Sequence, residues 1–365
     1  MATFSAPAAK EHVKGLRAQI VHRADQEFPF LHDTMIVPLG GRLLMAWYNC
    51  SENEIVGRTI IRGRWSADHG QTWSEPEIIC EDVRPEHHMV PVTFTEENGE
   101  IWAYVTRMSS HDRPTGYVCV QYDHGQWKLR QEREELVLIN TLPQETDGEW
   151  IAGGRMAAKP GELPLIPVVV RAPKQSPAPW KIVALPGPWN EDVYPLEYPE
   201  TAVLVEKDRV DAIVRNDAGP AQAFHSTDGG KTWGKASDAQ MPIAPAKMYG
   251  GSLPDGRQYL IYNEQTERKD RSRLVLALSR GGDAPFDRAL ILADGPSEAL
   301  NAGPYWHYPA PVSTGKCFIF PARLPLTPSS GTQPFSVFPL KICKWRFRLC
   351  RAKHKLPTAP DGARI

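Results

Sequence analysis

Short runs of β-forming residues alternate along the chain with tight turns, most of which contain glycine. Met35–Leu39 and Leu43–Tyr48, for example, flank Gly40-Gly41, an arrangement typical of a β-hairpin. Such turns recur roughly 50–60 residues apart, which leaves room for one four-stranded antiparallel sheet in each repeat. The six turns are Gly40-Gly41, Asn98-Gly99, Pro160-Gly161, Lys207-Asp208, Asp255-Gly256 and Thr314-Gly315.

This spacing predicts an all-β fold, a six-bladed β-propeller with four-stranded antiparallel blades; a seven-bladed ring is the alternative. We expect an N-terminal extension over residues 1–26, a single propeller domain over 27–342 and a basic C-terminal tail over 343–365. We interpret the tail as a solvated end, with a basic patch for nucleic acid or membrane as the alternative.

An eight-residue motif, Ser-x-Asp-x-Gly-x-Thr-Trp, occurs twice, at Ser66–Trp73 and Ser226–Trp233. We expect its Asp to accept hydrogen bonds from backbone N–H groups, its Gly to adopt a positive φ, and its Trp to pack between neighbouring sheets. These roles are structural, not chemical. They are assigned to Asp68, Gly70, Trp73, Asp228, Gly230 and Trp233.

Composition narrows the classes of function. The 42 Lys and Arg residues nearly balance the 43 Asp and Glu residues, so no overall field favours nucleic acid or a membrane surface. The six cysteines form no CxxC pair and are expected to be free thiols. No run of about 18 apolar residues predicts a membrane span. Met1–Lys14 has no signal-peptide core, which predicts a cytoplasmic protein, or a secreted or periplasmic one if a leader has been removed.

Cofactor motifs are also missing from the sequence. It has no phosphate-binding GxxxxGK, no dinucleotide-binding glycine pattern after a strand and no HExxH, so we expect no nucleotide cofactor and no catalytic metal. Calcium binding and the oligomeric state are left open.

Hairpin arithmetic indicates which residues meet at the open ends of the blades. With a two-residue turn, paired residues have numbers that add to a constant. The predicted pairs are Glu200 with Arg215, His32 with Asn49 and, within about two residues, His88 with Arg107. Other residues expected at open ends are Arg155, Tyr249, Asn263, His307 and Tyr308. In a radial arrangement these groups converge on one central pocket.

The chain resembles the sialidase (neuraminidase) superfamily, whose members carry Asp-box repeats. The resemblance lies in the two motif copies and in the stretch that contains Glu200–Val205, Arg215 and Ser226–Gly230. The resemblance covers roughly residues 27 to 320. It implies a glycoside hydrolase that acts on a terminal acidic sugar, with Tyr308 as nucleophile, Glu200 as its base and Glu54, or alternatively Glu52, as the proton donor.

The resemblance also implies that arginines hold the sugar carboxylate, namely Arg215 with Arg271 or Arg273. Arg107, Arg155 and His88 are further candidates for substrate binding. One departure stands out: the chain has Leu31-His32-Asp33-Thr34 where the family has its first arginine, so that His32 replaces this arginine.

Two alternatives follow from this departure. In the first, His32 or His88 is the general base of a hydrolase or lyase acting on rhamnosyl-glucuronate linkages. In the second, the propeller binds glycans or proteins without catalysis. In the leading hypothesis the partner is an acidic oligosaccharide or glycan.

Overall fold

A computed structural model describes most of the chain. The described residues are 4–110, 113–157, 165–189, 196, 198–206, 209–265, 271–280, 286–295, 306, 312–313, 317–325 and 335–343; for 312–313, 317–325 and 335–343 the backbone alone is described, apart from Ile319.

Strands account for the regular structure of this part of the chain. Three short strands come first: β1 (Glu11–His12), β2 (Leu16–Ala18) and β3 (His22–Arg23). The first sheet contains β4 (Phe30–Leu39), β5 (Arg42–Cys50), β6 (Thr59–Ser66) and β7 (Glu77–Glu81). The second contains β8 (His88–Glu97), β9 (Glu100–Ser110), β10 (Arg113–Asp123) and β11 (Gln126–Arg133). The third contains β12 (Val137–Ile139), β13 (Gln144–Thr146), β14 (Glu149–Ala157), β15 (Leu165–Pro173) and β16 (Lys181–Ala184).

The second half repeats this plan. The fourth sheet contains β17 (Thr201–Glu206), β18 (Arg209–Val214), β19 (Gln222–Ser226) and β20 (Ser237–Asp238). The fifth contains β21 (Tyr249–Ser252), β22 (Gln258–Asn263), β23 (Arg273–Ser279) and β24 (Phe286–Asp294), with β1 added in parallel to β24. The last contains β25 (Val312–Ser313), β26 (Cys317–Pro325) and β27 (Phe335–Cys343), to which β2 and β3 add in antiparallel fashion.

Apolar clusters lie between neighbouring sheets. Tyr48 and Phe94 share a cluster between the first two sheets, and Ile151 and Phe224 share one between the third and fourth. Ile319 of the last sheet packs with Leu31 and other residues of the first, which closes the ring. Burial between facing sheets is thus the main stabilising contribution.

The all-β propeller class is confirmed. The number of blades stays a prediction: five sheets are described with their side chains, and a further sheet by its backbone pairing and Ile319. The domain boundaries stay a prediction, although strands within the expected N-terminal extension pair with the last two sheets. The basic tail, from residue 344 onwards, lies outside the described residues.

The two motif copies form the expected turns. In each, the Asp carboxylate accepts hydrogen bonds from the backbone N–H of Thr72 or Thr232 at 2.9 Å and from the same threonine's hydroxyl at 2.6 Å. These bonds, above all that from the threonine hydroxyl, hold the pKa of Asp68 and Asp228 well below the usual value.

The glycines and tryptophans of the motif also behave as expected. Gly70 and Gly230 have φ values of 78° and 81°. Trp73 packs against the cluster between the last and first sheets, and Trp233 against the one between the third and fourth. The motif therefore joins each of these blades to the blade before it.

Hairpin register explains which side chains reach the open ends. Glu206 pairs with Arg209 and Thr201 with Val214, and the N–H of Arg215 donates to the carbonyl of Glu200 at 2.9 Å, as predicted.

The pairing predicted for His32 is wrong by one residue. His32 pairs with Tyr48, and Leu31 pairs with Asn49. The reason is a bulge between His32 and Met35, where Asp33 adopts a φ of 48°, and turn arithmetic cannot anticipate such an insertion. A second bulge lies between Met89 and Val92, yet His88 and Arg107 stay in adjacent pairs as expected.

Candidate active site

A cavity of about 220 Å³ lies where the open ends of several blades meet. Its walls include residues of the first three sheets, residues that flank β17 and β18 of the fourth, and Arg271, which follows β22. Most of its polar lining was singled out from the sequence. The polar lining residues are His32, Asp33, Tyr48, Glu54, Arg155, Tyr198, Glu200, Arg215 and Arg271.

Glu200 and Arg215 form the central ion pair of this cavity. They extend from the ends of β17 and β18, and Nη1 of Arg215 donates to Oε2 of Glu200 at 2.9 Å. Arg215 also donates from Nε and Nη2 to Oδ1 of Asp217, at 3.0 and 2.6 Å. Both members of the pair are buried. The hydrogen bonds to the carboxylates of Glu200 and Asp217 fix the orientation of the Arg215 guanidinium group.

Two more arginines complete a cationic wall. The guanidinium groups of Arg155 and Arg215 lie 5.3 and 5.2 Å from the ring centroid of Tyr198, which therefore contacts both cations. Arg271 lines the cavity and donates from Nη2 to the carbonyl of Pro245 at 3.1 Å.

These cations decide the charge of Glu200. Burial by itself would raise the pKa of this carboxyl, but Arg215, and after it Arg155 and Lys247, outweigh burial and hold the pKa below its usual value. Glu200 is therefore an anion at neutral pH, as a proton acceptor must be.

The first blade contributes an acidic group to the cavity, in contrast to the arginines of the other walls. Tyr48 donates its hydroxyl to Oε1 of Glu54 at 3.0 Å, and Nε2 of His32 lies 3.7 Å from the same oxygen. His32 is buried, while Glu54 is about one-third exposed. The cluster therefore brings together three groups able to exchange protons, with Tyr48 hydrogen-bonded to Glu54 and His32 within ion-pair distance of the same carboxylate.

Asp33 and Lys247 were not predicted as site residues. Nζ of Lys247 donates to both carboxylate oxygens of Asp33, at 2.6 and 2.8 Å, and the hydroxyl of Tyr249 donates to Asp33 at 3.0 Å. Lys247 is completely buried. The sequence held a signal, because a lone lysine between apolar residues at Ala246 and Met248 needs a buried partner.

Three residues predicted to bind substrate do not line the cavity. Arg107 donates to Glu132 at 2.6 Å. Arg273 donates to Glu264 and Asp294. Nδ1 of His88 lies 3.2 Å from the hydroxyl of Thr59, and burial lowers the pKa of this imidazole.

Of the two arginines left open by the sequence, then, Arg271 is the one at the cavity. Glu52, the alternative proton donor, is exposed and outside the cavity lining. Tyr308, the predicted nucleophile, and the neighbouring His307 lie outside the described residues.

Neither metal ligands nor membrane helices are found in the described ranges. There, no three His, Cys, Asp or Glu side chains are grouped so that they could hold a metal ion. No helix long and apolar enough to cross a membrane is found there. The sequence-based expectations on cofactors and localisation stay predictions.

Comparison with known proteins places this geometry in context. The profile of the family described as "BNR repeat-like domain" matches residues 41–320. A search of curated proteins finds no match.

Solved structures share the fold at low sequence identity. A protein of unknown function from Dyadobacter fermentans is 14% identical with a TM-score of 0.65, over 90% of this chain and 100% of that one. The NanB sialidase of Streptococcus pneumoniae is 11% identical with a TM-score of 0.65, over 90% and 70%. A Trypanosoma rangeli sialidase bound to sialic acid is 12% identical with a TM-score of 0.64, over 92% and 60%.

Proposed function

The chain belongs to the BNR repeat-like family, with the propeller of the sialidase superfamily, and from this premise we propose that it is a sialidase-like exo-glycoside hydrolase acting on a terminal acidic sugar. At this level of identity the likeness to solved structures supports the fold alone, so the activity is argued from the site.

The observation that carries the proposal is the cationic wall around Glu200. Arg155, Arg215 and Arg271 come from three different blades or their connections, yet all line one cavity. Guanidinium groups bind carboxylates through paired hydrogen bonds, which is the recognition that an acidic sugar requires. An anionic substrate is also attracted into the cavity by the combined charge of these side chains.

The remaining groups supply the chemistry of hydrolysis. In the proposed reaction the oxygen of Tyr308 attacks the anomeric carbon and its proton passes to Glu200, while Glu54 gives a proton to the departing oxygen. Water then attacks the anomeric carbon and loses a proton to Glu54. The bond from this carbon to the Tyr308 oxygen breaks, the sugar is released, and Glu200 returns the proton to the Tyr308 oxygen. A neutral tyrosine is a better nucleophile than a carboxylate here, because the substrate carboxylate would repel a second anion.

One observation favours a second candidate. His32 lies in the cavity wall, close to Glu54, at the position for which the resemblance to sialidases predicts an arginine. An imidazole at this place is suited to act as general base in a hydrolase or lyase acting on a glucuronate-containing linkage.

Product mass distinguishes hydrolysis from elimination, and the substrate that reacts shows whether the acidic sugar is a sialic acid or a uronate. The purified protein is incubated with sialylated and with uronate-terminated oligosaccharides, and the products are analysed by mass spectrometry. We expect release of a terminal acidic sugar with the gain of one water. Cleavage of a uronate linkage without gain of water supports the lyase instead, and binding without turnover of any substrate rejects both enzymes in favour of a glycan-binding propeller.

A further inference from the structure

Asn263 is a buried asparagine at the end of β22, close in the chain to the cavity residue Arg271. Its side-chain Nδ2 donates to the backbone carbonyl of Arg271 at 3.1 Å and to that of Trp306 at 2.9 Å. One amide group therefore ties together two segments that are well separated in the sequence.

The position of Arg271 depends on Asn263 at both ends of the arginine. The backbone carbonyl of Arg271 accepts from Nδ2 of Asn263, and its guanidinium group donates from Nη2 to the carbonyl of Pro245 at 3.1 Å. The segment that contains Pro245 is itself held by Asn263, whose backbone carbonyl accepts from the N–H of Ala244 at 2.8 Å. Asn263 is thus a common anchor for the backbone and the side chain of this cavity arginine.

Trp306 brings a second part of the proposed site to the same anchor. Its backbone N–H donates to the carbonyl of Arg271 at 3.0 Å, and its indole Nε1 donates to the carbonyl of Gly295 at 3.1 Å. Its ring is buried in the apolar cluster of the fifth sheet. Tyr308, the proposed nucleophile, follows two residues later in the sequence, and two residues of chain span at most about 7 Å. The cavity arginine and the segment that leads to the nucleophile therefore meet at the amide of Asn263.

The chemistry of an asparagine suits this place. Its NH2 group has two N–H donors, one for each carbonyl, whereas a carboxylate would have no donor to offer and an aliphatic side chain would leave the carbonyl of Trp306 without this bond. The price of the arrangement is that Oδ1 of Asn263 is buried without a partner among the described residues. A buried polar atom left unsatisfied points to a purpose for the two donors beyond stability.

We propose that Asn263 is a positioning residue, which fixes Arg271 and the segment before Tyr308 relative to each other. The inference rests on the proposed function, in which Arg271 binds the carboxylate of the sugar and Tyr308 attacks its anomeric carbon. Binding of the carboxylate then sets the distance between the anomeric carbon and the nucleophile. Loss of the amide should therefore weaken the binding of acidic sugars and slow the chemical step together.

A double-mutant cycle with Arg271 tests this role. Binding of free sialic acid and of glucuronic acid to the full chain is measured by calorimetry, and kcat is measured with an oligosaccharide that the protein hydrolyses. Asn263→Ala should weaken binding of the acidic sugar and lower kcat, each by at least about 10-fold. In a chain that already carries Arg271→Ala, the same substitution should weaken binding no further, because Asn263 acts on binding through Arg271. Equal losses in both backgrounds would overturn the proposal, since a general effect on the fold would add to the loss of the arginine.

Hydrogen–deuterium exchange tests the tie without any ligand. The backbone N–H of Trp306 should exchange at least about 10-fold faster in Asn263→Ala than in the unchanged protein, because the segment loses its bond to the amide. Gln258→Ala is the matched control, since Gln258 is a buried amide residue at the opposite end of the same strand. It should leave exchange at Trp306, sugar binding and kcat unchanged. Should Asn263→Ala fail to fold, Asn263→Ser keeps one donor, and the same changes are expected at a smaller size.

Two results overturn the positioning role. One is unchanged exchange at Trp306, and the other is faster exchange while sugar binding and kcat stay as they were. A failure of the proposed function is recognised separately, because the unchanged protein then binds or hydrolyses no acidic sugar at all, and the positioning role is rejected with it.

Discussion

The first and fourth blades each carry the Ser-x-Asp-x-Gly-x-Thr-Trp motif at one end, the turn end, and line the cavity at the other, the cavity end. The two turn ends form the same hydrogen bonds, whereas the two cavity ends differ in strand register and in side chains. The serine hydroxyl of the motif accepts from the glycine N–H at 2.7 Å in one copy and 2.8 Å in the other. At the cavity end, the first blade has a bulge at Asp33, and the fourth has an uninterrupted hairpin that presents Glu200 and Arg215.

This difference separates stability from chemistry. The turn motif is repeated because each copy solves the same problem, the packing of one blade against the previous one. The cavity ends differ because a substrate is asymmetric, and each wall has to supply a different group. We therefore expect substitutions at the turn end to affect unfolding and those at the cavity end to affect turnover.

The largest expected effect on stability is at Trp73. Trp73→Ala should lower the free energy of unfolding by roughly 3 kcal/mol, the low end for loss of a large aromatic, because the ring is only partly buried. Denaturant unfolding measures it. Trp73→Phe is the control and should recover most of the loss, since the indole N–H has no partner among the described residues. A Trp73→Ala protein as stable as the unchanged one contradicts the structural role of the motif.

The next effect is expected at Glu200. Glu200→Gln should reduce turnover by at least about 100-fold, the usual scale for removing a proton acceptor, while Arg215 keeps its bonds to Asp217 and the protein folds. Steady-state rates and the melting temperature are measured together.

Glu264→Gln is the matched control for this variant. Glu264 is also a buried carboxylate bound to an arginine, Arg273, but it lies outside the cavity lining. It should keep its activity. Equal rates in the Glu200 variant and the unchanged protein would reject the role proposed for Glu200.

The same contrast explains what could be predicted from the sequence. Repeated turns and hairpins follow from local rules, so the propeller, the turn motif and the pairing of Glu200 with Arg215 were within reach. The position of Asp33 was not, because a bulge is one inserted residue whose site depends on packing. The ion pair of Asp33 with Lys247 joins residues far apart in sequence, and no local pattern states that they meet.

The smallest effect tests how closely the turn end is packed. Gly230 and Gly125 both have a φ of 81°, so replacing either with alanine introduces similar backbone strain, about 1 kcal/mol. A Cβ at Gly230 would lie 2.6 Å from Cδ1 of Ile151 on the previous blade, whereas a Cβ at Gly125 meets nothing within 4 Å. Ile151 is fully buried and has little room to move. Gly230→Ala should therefore destabilise the protein by roughly 1 kcal/mol more than Gly125→Ala in denaturant unfolding. Equal losses would mean that this turn is determined by its own hydrogen bonds, and that contact with the neighbouring blade adds nothing to it.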